Sequence, residues 1–436
     1  MQDHQQQDQT LERLSQDQLD ALVTLHNRFL DGRLGGRRAM LKNTDISGLS
    51  LKGRDLRQAN FMGCVMAGMD LSKANFQEAA LYACDLSNSN LDDACFVRAD
   101  LRGATIENAS LEGADLEKAD LRIGGIADQD MYDSGQAVNF RGANLSGAKL
   151  AGSIASKANF SDAILTGANM SKADLRGAQM EGADLSGAEI DGAQMEGANL
   201  KSAILTGVEM SKIRDKSSID LSEAITDENA GISIADLDEP LAQLIEEHRA
   251  WVETAGAKGA QLDLSNMDLR SLKTLKLEKM TAIRAVNTKF LGMNLYKIEL
   301  QSAVLDGSDF RNCDAEEADF RGSSFIGANL SHSKMKNIEA SPLMFGGEGS
   351  GKRFSPCNFE NAKLRYADLS GSRLKSAVFK GADLSYACLA GADLREADFT
   401  GANMTGVILD DAQTEGATIP KSDKPVFRLK AANKED

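Results

Sequence analysis

Several stretches of this chain carry residue types and spacings that could support chemistry. GGEGSGKR at 346–353 contains G-x-x-x-x-G-K, the skeleton of a loop whose backbone N–H groups cradle phosphates. Such a loop needs Ser or Thr next, for magnesium, and Arg353 stands there instead. It also needs a helix after it, whereas Pro356 and a resumed β pattern come next, so the stretch reads as a Gly-rich excursion. DQDMYDSG at 128–135 places Asp128, Asp130 and Asp133 loosely as in a calcium loop, but no glutamate closes it and the Gly falls late. The histidines are His4, His26, His248 and His332, and they assemble no catalytic or metal-binding set. No Ser-His-Asp, Cys-His or paired-carboxylate arrangement can be argued. The expectation is therefore no catalytic residue, no cofactor and no metal.

What must position these residues is a repeat. From Ile46 to Leu121, and again in a new phase from Phe140 to Met210, an apolar residue returns every fifth position. Ala commonly stands two residues before it, as at Ala143, Ala148 and Ala163, with Asp, Asn or another polar residue between them and Gly frequent two residues after. Helices bury faces at about 3.6 residues and strands at 2, so neither template fits. A fixed internal period points to a solenoid. If each pentad forms one side and four sides close a turn, the central residue and the Ala both point inward. A large side chain at the Ala position would collide with the central one of its layer. Layers then stack at the strand spacing of roughly 4.8 Å.

The A(D/N)LxG-like pentads resemble the pentapeptide-repeat family, over most of the chain. The resemblance implies an all-β solenoid, a right-handed quadrilateral β-helix. It also supplies a partner: some members imitate the shape and charge of duplex DNA and bind DNA gyrase, protecting it from quinolones, with projecting loops important in several.

The chain is organised as a tandem duplication. Residues 1–14 are read as a disordered tail. Module 1 covers 15–213, with a helix at about 15–31 capped by Ser15 and Gln18 and a loop at 122–138. A linker at 214–236 precedes module 2, 237–420, with a helix at about 239–254 capped by Asp238 and a loop at 336–356. A charged tail, 421–436, ends the chain. Leu244, His248 and Trp251 repeat the spacing of Leu22, His26 and Phe29, and Gly32 to Gly35 is echoed by Gly256 to Gly259. Each helix is expected to lie across the first turn of its β-helix, where open backbone groups and an apolar layer invite aggregation. His26, Phe29, His248 and Trp251 are then structural residues of the two N-terminal caps.

Composition agrees with a narrow core. Only 5% of the 436 residues are aromatic, Trp251 is the single tryptophan, and five prolines are few, as a chain of ladder hydrogen bonds requires. Cys64, Cys84, Cys313 and Cys357 take the small inward position, and Cys64 should stack on Cys84 one turn later. Cysteines on the repeat grid suit a reducing, cytoplasmic location. The polar, acidic start lacks a signal peptide's apolar core, and no apolar run reaches ~20 residues, so no membrane span is expected. Net charge is −16, with about −9 in residues 51–210, about −6 in 211–260 and near neutrality in 261–436. An acidic first half would be repelled by phosphates, which disfavours nucleic acid.

These readings converge on a non-enzymatic protein–protein interaction scaffold. Both loops carry Met followed by an aromatic, Met131-Tyr132 and Met344-Phe345, and loops on a rigid scaffold concentrate contacts. These four residues are the candidate partner-binding positions. Two alternatives stand beside the scaffold reading: a DNA-mimicking modulator of gyrase, and an assembly protein forming homodimers through coil ends.

Overall fold

The computed structural model describes residues 11–124, 136–213, 217–345 and 353–420. The chain divides into two compact units, Met1–Asn229 and Ala230–Asp436.

In unit 1 parallel bridges join Asp45 to Val65, Ser50 to Asp70, Asp55 to Asn75 and Asn60 to Ala80. The chain thus returns to register every twenty residues, after four five-residue segments, and the same step continues to Asp184 and Ile204. Hydrogen bonds explain the period. Short of the last turn of each unit, the central residue donates its N–H to the next turn, as Leu81 does to Asp100 O at 2.7 Å. The residue before a central position donates back, as Asp85 does to Cys64 O at 3.0 Å. Within a segment the small residue closes a tight turn, as Ala94 does onto Leu91 O at 3.0 Å. Two residues after the centre the backbone is left-handed, for example Gly167 at φ +65°, which is why Gly recurs there. Where Asp precedes the centre it can cap that turn, as Asp85 Oδ1 does by accepting from Ser87 N–H at 3.0 Å.

Central Leu, Phe, Met and Ile side chains and the small Ala or Cys are buried together, in one apolar cluster per unit. Phenylalanines on one side stack as a ladder: Phe325, Phe359, Phe379 and Phe399 succeed one another at centroid separations of 5.1, 5.0 and 4.8 Å. The insertion between Phe325 and Phe359 leaves the ladder unbroken. Bridges there run from Ser324 to Asn358 and from Glu339 to Arg373, fourteen residues longer than the usual twenty. Unit 1 has an insertion of the same length, with Thr105 bridged to Asn139 and Asp120 to Ile154.

Unit 1 begins with β1 (Glu12–Arg13), α1 (Gln16–Leu30), β2 (Met40–Lys42) and β3 (Thr44–Asp45). Strand β1 pairs in parallel with β3, and β2 with β4 (Asn60–Met62). A capping box between Ser15 and Gln18 starts α1. Unit 2 begins with β5 (Ile232–Ser233) and α2 (Leu241–Glu253), and β5 pairs with β6 (Met267–Asp268). The expected cap Asp238 is not used: Pro240 occupies the N-cap position and supplies no side-chain hydrogen bond. Pro240 has no side-chain acceptor, and its carbonyl starts the helix by accepting from Gln243 N–H at 2.9 Å. Two sides of unit 1 also continue past Met210, with Asn199 bridged to Asp220 and Ile204 to Ile225. Ile219, Ala224 and Ile225 are buried, so part of the stretch read as a linker packs in unit 1. One extra residue in each step, against the usual twenty, hides this continuation from a five-residue grid.

Candidate functional site

The insertion of unit 2 ends in an antiparallel hairpin, β7 (Leu343–Phe345) with β8 (Arg353–Ser355), registered Leu343 to Ser355, Met344 to Phe354 and Phe345 to Arg353. Leu343 anchors it: a Cβ added to Gly322 would lie 3.1 Å from Leu343 Cδ1, so the absent side chain lets the strand sit down on the turn. The next residue points out. Met344 is 59% exposed and its cross-strand partner Phe354 is 56% exposed. These two apolar side chains stand opposite each other on the strand pair. Sequence alone singles out Met344 and Phe345 as the pair. It misses Phe354, because only the antiparallel register brings residues 344 and 354 together. Alternation of side chains along a strand is the signal that could have found it.

The Gly-rich stretch 346–352 lies outside the described residues, and the chain enters strand β8 after it rather than a helix. Met131, Tyr132 and the carboxylates Asp128, Asp130 and Asp133 also lie outside the described residues. At the ends of that insertion Gly124 donates to Gln136 O at 3.0 Å, and Gly124 rests against Gly103, where a Cβ would come within 2.9 Å of Gly103 Cα.

His26 and His248 are fully buried and held alike. His26 Nδ1 accepts from Ala39 N–H at 3.0 Å while Nε2 faces Arg57 O at 3.1 Å. His248 Nδ1 accepts from Leu262 N–H at 3.1 Å while Nε2 faces Thr281 O at 2.9 Å. Acceptor on one nitrogen and donor on the other defines the neutral Nε2–H tautomer. Burial pulls both imidazoles below the ordinary 6.5. Phe29 and Trp251 stack on these rings at centroid distances of 5.8 Å in each unit. Gln16 works the same way: its side-chain amide donates to Ser50 O and accepts from Ser50 N–H, both at 2.9 Å. Each ring, like the Gln16 amide, takes the place of a missing strand at the first turn. The sequence paired Gly35 with Gly259, but it is Gly36 that meets α1, where a Cβ would fall 2.4 Å from Phe29 N.

Cys64 and Cys84 stack one turn apart. The Cys84 thiol beside it lowers Cys64 to about 7, while the same contact pushes Cys84 up. Burial pushes the Cys313 and Cys357 thiols well up. Among the described residues no group of three or more His, Cys, Asp or Glu could hold a metal. No helix among them is long and apolar enough to cross a membrane.

The family described as "Pentapeptide repeats" matches in eight copies, at residues 39–77, 51–88, 84–122, 143–182, 178–213, 298–337, 357–395 and 377–413, together more than half of the chain. The chain belongs to the pentapeptide-repeat family. Pentapeptide-repeat proteins fold as right-handed quadrilateral β-helices and are in general non-catalytic structural or interaction proteins. Among solved structures the chain is similar to trypsin-treated QnrB1, a plasmid-mediated fluoroquinolone resistance protein, with 27% identity over 44% of this chain and 90% of that one, TM-score 0.28. It is also similar to HetL, a pentapeptide-repeat protein involved in heterocyst differentiation regulation from Nostoc sp. strain PCC 7120, with 19% identity over 90% and 93% of the two chains, TM-score 0.15. Rfr23 from Cyanothece 51142 is 31% identical over 29% of this chain and 88% of its own, TM-score 0.17. None of the three superposes closely enough to carry a functional argument. No curated protein matches the sequence.

Proposed function

We propose that this pentapeptide-repeat protein is a non-enzymatic protein-interaction scaffold. It consists of two tandem β-helices, each closed at its first turn by its N-terminal helix, and it acts through rigid faces and projecting insertions. The observation that carries the reading is the β7–β8 hairpin, which holds Met344 and Phe354 together and exposed on a rigid base. A buried apolar pair would be core; an exposed one on a fixed hairpin is an anchor waiting for a pocket. Met131, Tyr132 and Phe345 are further proposed contacts. The setting is a reducing, cytoplasmic one, in which six free cysteines stay thiols. The test is a photo-crosslinking amino acid placed at Phe354: it should trap a defined protein in cells, and the same group placed at Lys172 should not. Equal trapping at both positions would end the proposal.

A second reading has its own support. In the last turn of unit 2 the N–H groups of Met404, Gly406, Leu409 and Ile419 donate to no other described residue, although their counterparts in every full turn do. Pairing of those N–H groups with a second copy of the chain would give a homodimer joined through coil ends. Sedimentation velocity should then show a concentration-dependent dimer, and a monomer at every concentration would exclude it. The DNA gyrase alternative draws on the acidic coils of residues 51–210 and requires an effect on supercoiling. No effect at micromolar protein would remove it.

A further inference from the structure

We propose that one face of unit 1 binds an extended acidic peptide with a single aromatic or aliphatic anchor. The face is a column of residues one position after the central ones. Lys42 is paired in register with Met62, and the bridges Asn60–Ala80, Ala80–Asp100 and Asp100–Asp120 carry the column on through Tyr82 and Arg102 to Arg122. In order the five read cation, thioether, phenol, cation, cation. At the strand spacing of roughly 4.8 Å they span about 19 Å, the length of about six extended residues at 3.3 Å each.

The column is already shaped as a groove. A cavity of about 400 Å³ lies between Lys42, Met62, Tyr82 and Arg102, floored by Gly63 and Ala80. A second, of about 320 Å³, continues from Arg102 to Arg122, Ser156 and Lys157. The small floor leaves room for one large side chain against Met62 and the Tyr82 ring. The walls are fixed in place. Arg102 is held by both oxygens of Asp100, at 2.8 and 2.7 Å, and its guanidinium sits 5.6 Å from the Tyr82 ring centre. Arg122 is held by Asp120 at 2.9 and 2.7 Å. Lys42 and Lys157 make no ion pair with a described residue.

Charge chooses the occupant. Four cations, Lys42, Arg102, Arg122 and Lys157, face two carboxylates, Asp100 and Asp120, so this face is positive although residues 51–210 carry about −9 in all. Carboxylates of a short peptide are attracted by the rim while its anchor is desolvated between them. A nucleic-acid strand is disfavoured, because its evenly spaced phosphates would meet Asp100 and Asp120 and the acidic remainder of the unit.

Fluorescence anisotropy on the full chain tests this with a labelled hexapeptide in which a central tryptophan is flanked by glutamates. Saturable binding is expected, weakening with added salt. Tyr82→Ser and Lys42→Glu should each weaken it by about tenfold or more, whereas Lys172→Glu elsewhere in the unit should not. None of these changes touches the core, so melting should stay as in the parent. Equal affinity in all three variants would overturn the proposal, as would tighter binding of a DNA strand of matching length. Binding seen only after residues 125–135 are replaced by a short Gly-Ser linker would overturn it too, since the groove would then serve the chain's own segment.

Discussion

Replacing His26 or His248 by alanine is the sharpest probe of how the first turns are closed. His26→Ala leaves Ala39 N–H, at a residue 1% exposed, without its acceptor, and empties the space of a fully buried ring. An orphaned buried donor costs about 1–3 kcal/mol, and the lost packing adds a comparable amount, for a total of about 3 kcal/mol. Arg57 O also loses its donor but lies nearer solvent, so water can replace it. His248→Ala acts identically on Leu262 N–H and Thr281 O. The rings belong to separate units with separate apolar clusters, so the two effects should add. Solenoids open turn by turn, so amide hydrogen exchange is the better assay. Exchange across residues 16–30 and at Ala39 should accelerate by roughly a hundredfold, the equivalent of about 3 kcal/mol, while residues 241–253 keep their protection. If α1 and Ala39 exchange as in the parent, the histidine is not acting as a strand substitute and the reasoning fails.

Other consequences are quickly checked. Both imidazoles titrate below 6.5 in the fold, so the neutral form is favoured; the stability they contribute is complete above that value and is lost as pH falls through and below it. Melting temperature should therefore drop from about pH 7 towards 5, and the doubly substituted His26→Ala/His248→Ala chain should lose that part of the slope. Ala173→Leu should cost about 1–3 kcal/mol by overpacking a fully buried layer, and Leu175→Ala about 2–5 kcal/mol by leaving a cavity; urea unfolding measures both. Maleimide on the native protein should label Cys95 and Cys388, which are partly exposed, and spare Cys64, Cys84, Cys313 and Cys357 until denaturant is added.

Much of the fold was legible because the five-residue rhythm is imposed by sterics. Ala143 before Leu145 is small because two inward side chains share one layer, and a composition rule that strict shows in any single sequence. The carboxylates were legible only as an outward column. That Asp85 is there to accept from Ser87 N–H, two residues on, needs the turn geometry. The continuation of unit 1 through Ile219 and Ile225 was hidden because one extra residue shifts the grid, and the grid is the only signal a single sequence offers there. Partnerships across insertions were out of reach altogether: nothing local ties Met344 to Phe354, and nothing in either His sequence neighbourhood names Ala39 or Leu262 as its donor.

A scaffold role stands or falls with the exposed hairpin. The decisive measurement is quantitative mass spectrometry of proteins retained by the immobilised chain and by its Met344→Ser/Phe354→Ser variant, both from the native cell extract. The scaffold reading predicts that a defined partner is retained by the parent and lost, by about tenfold or more, from the variant, with melting unchanged because both side chains are exposed. The same proteins retained equally by both chains would contradict it.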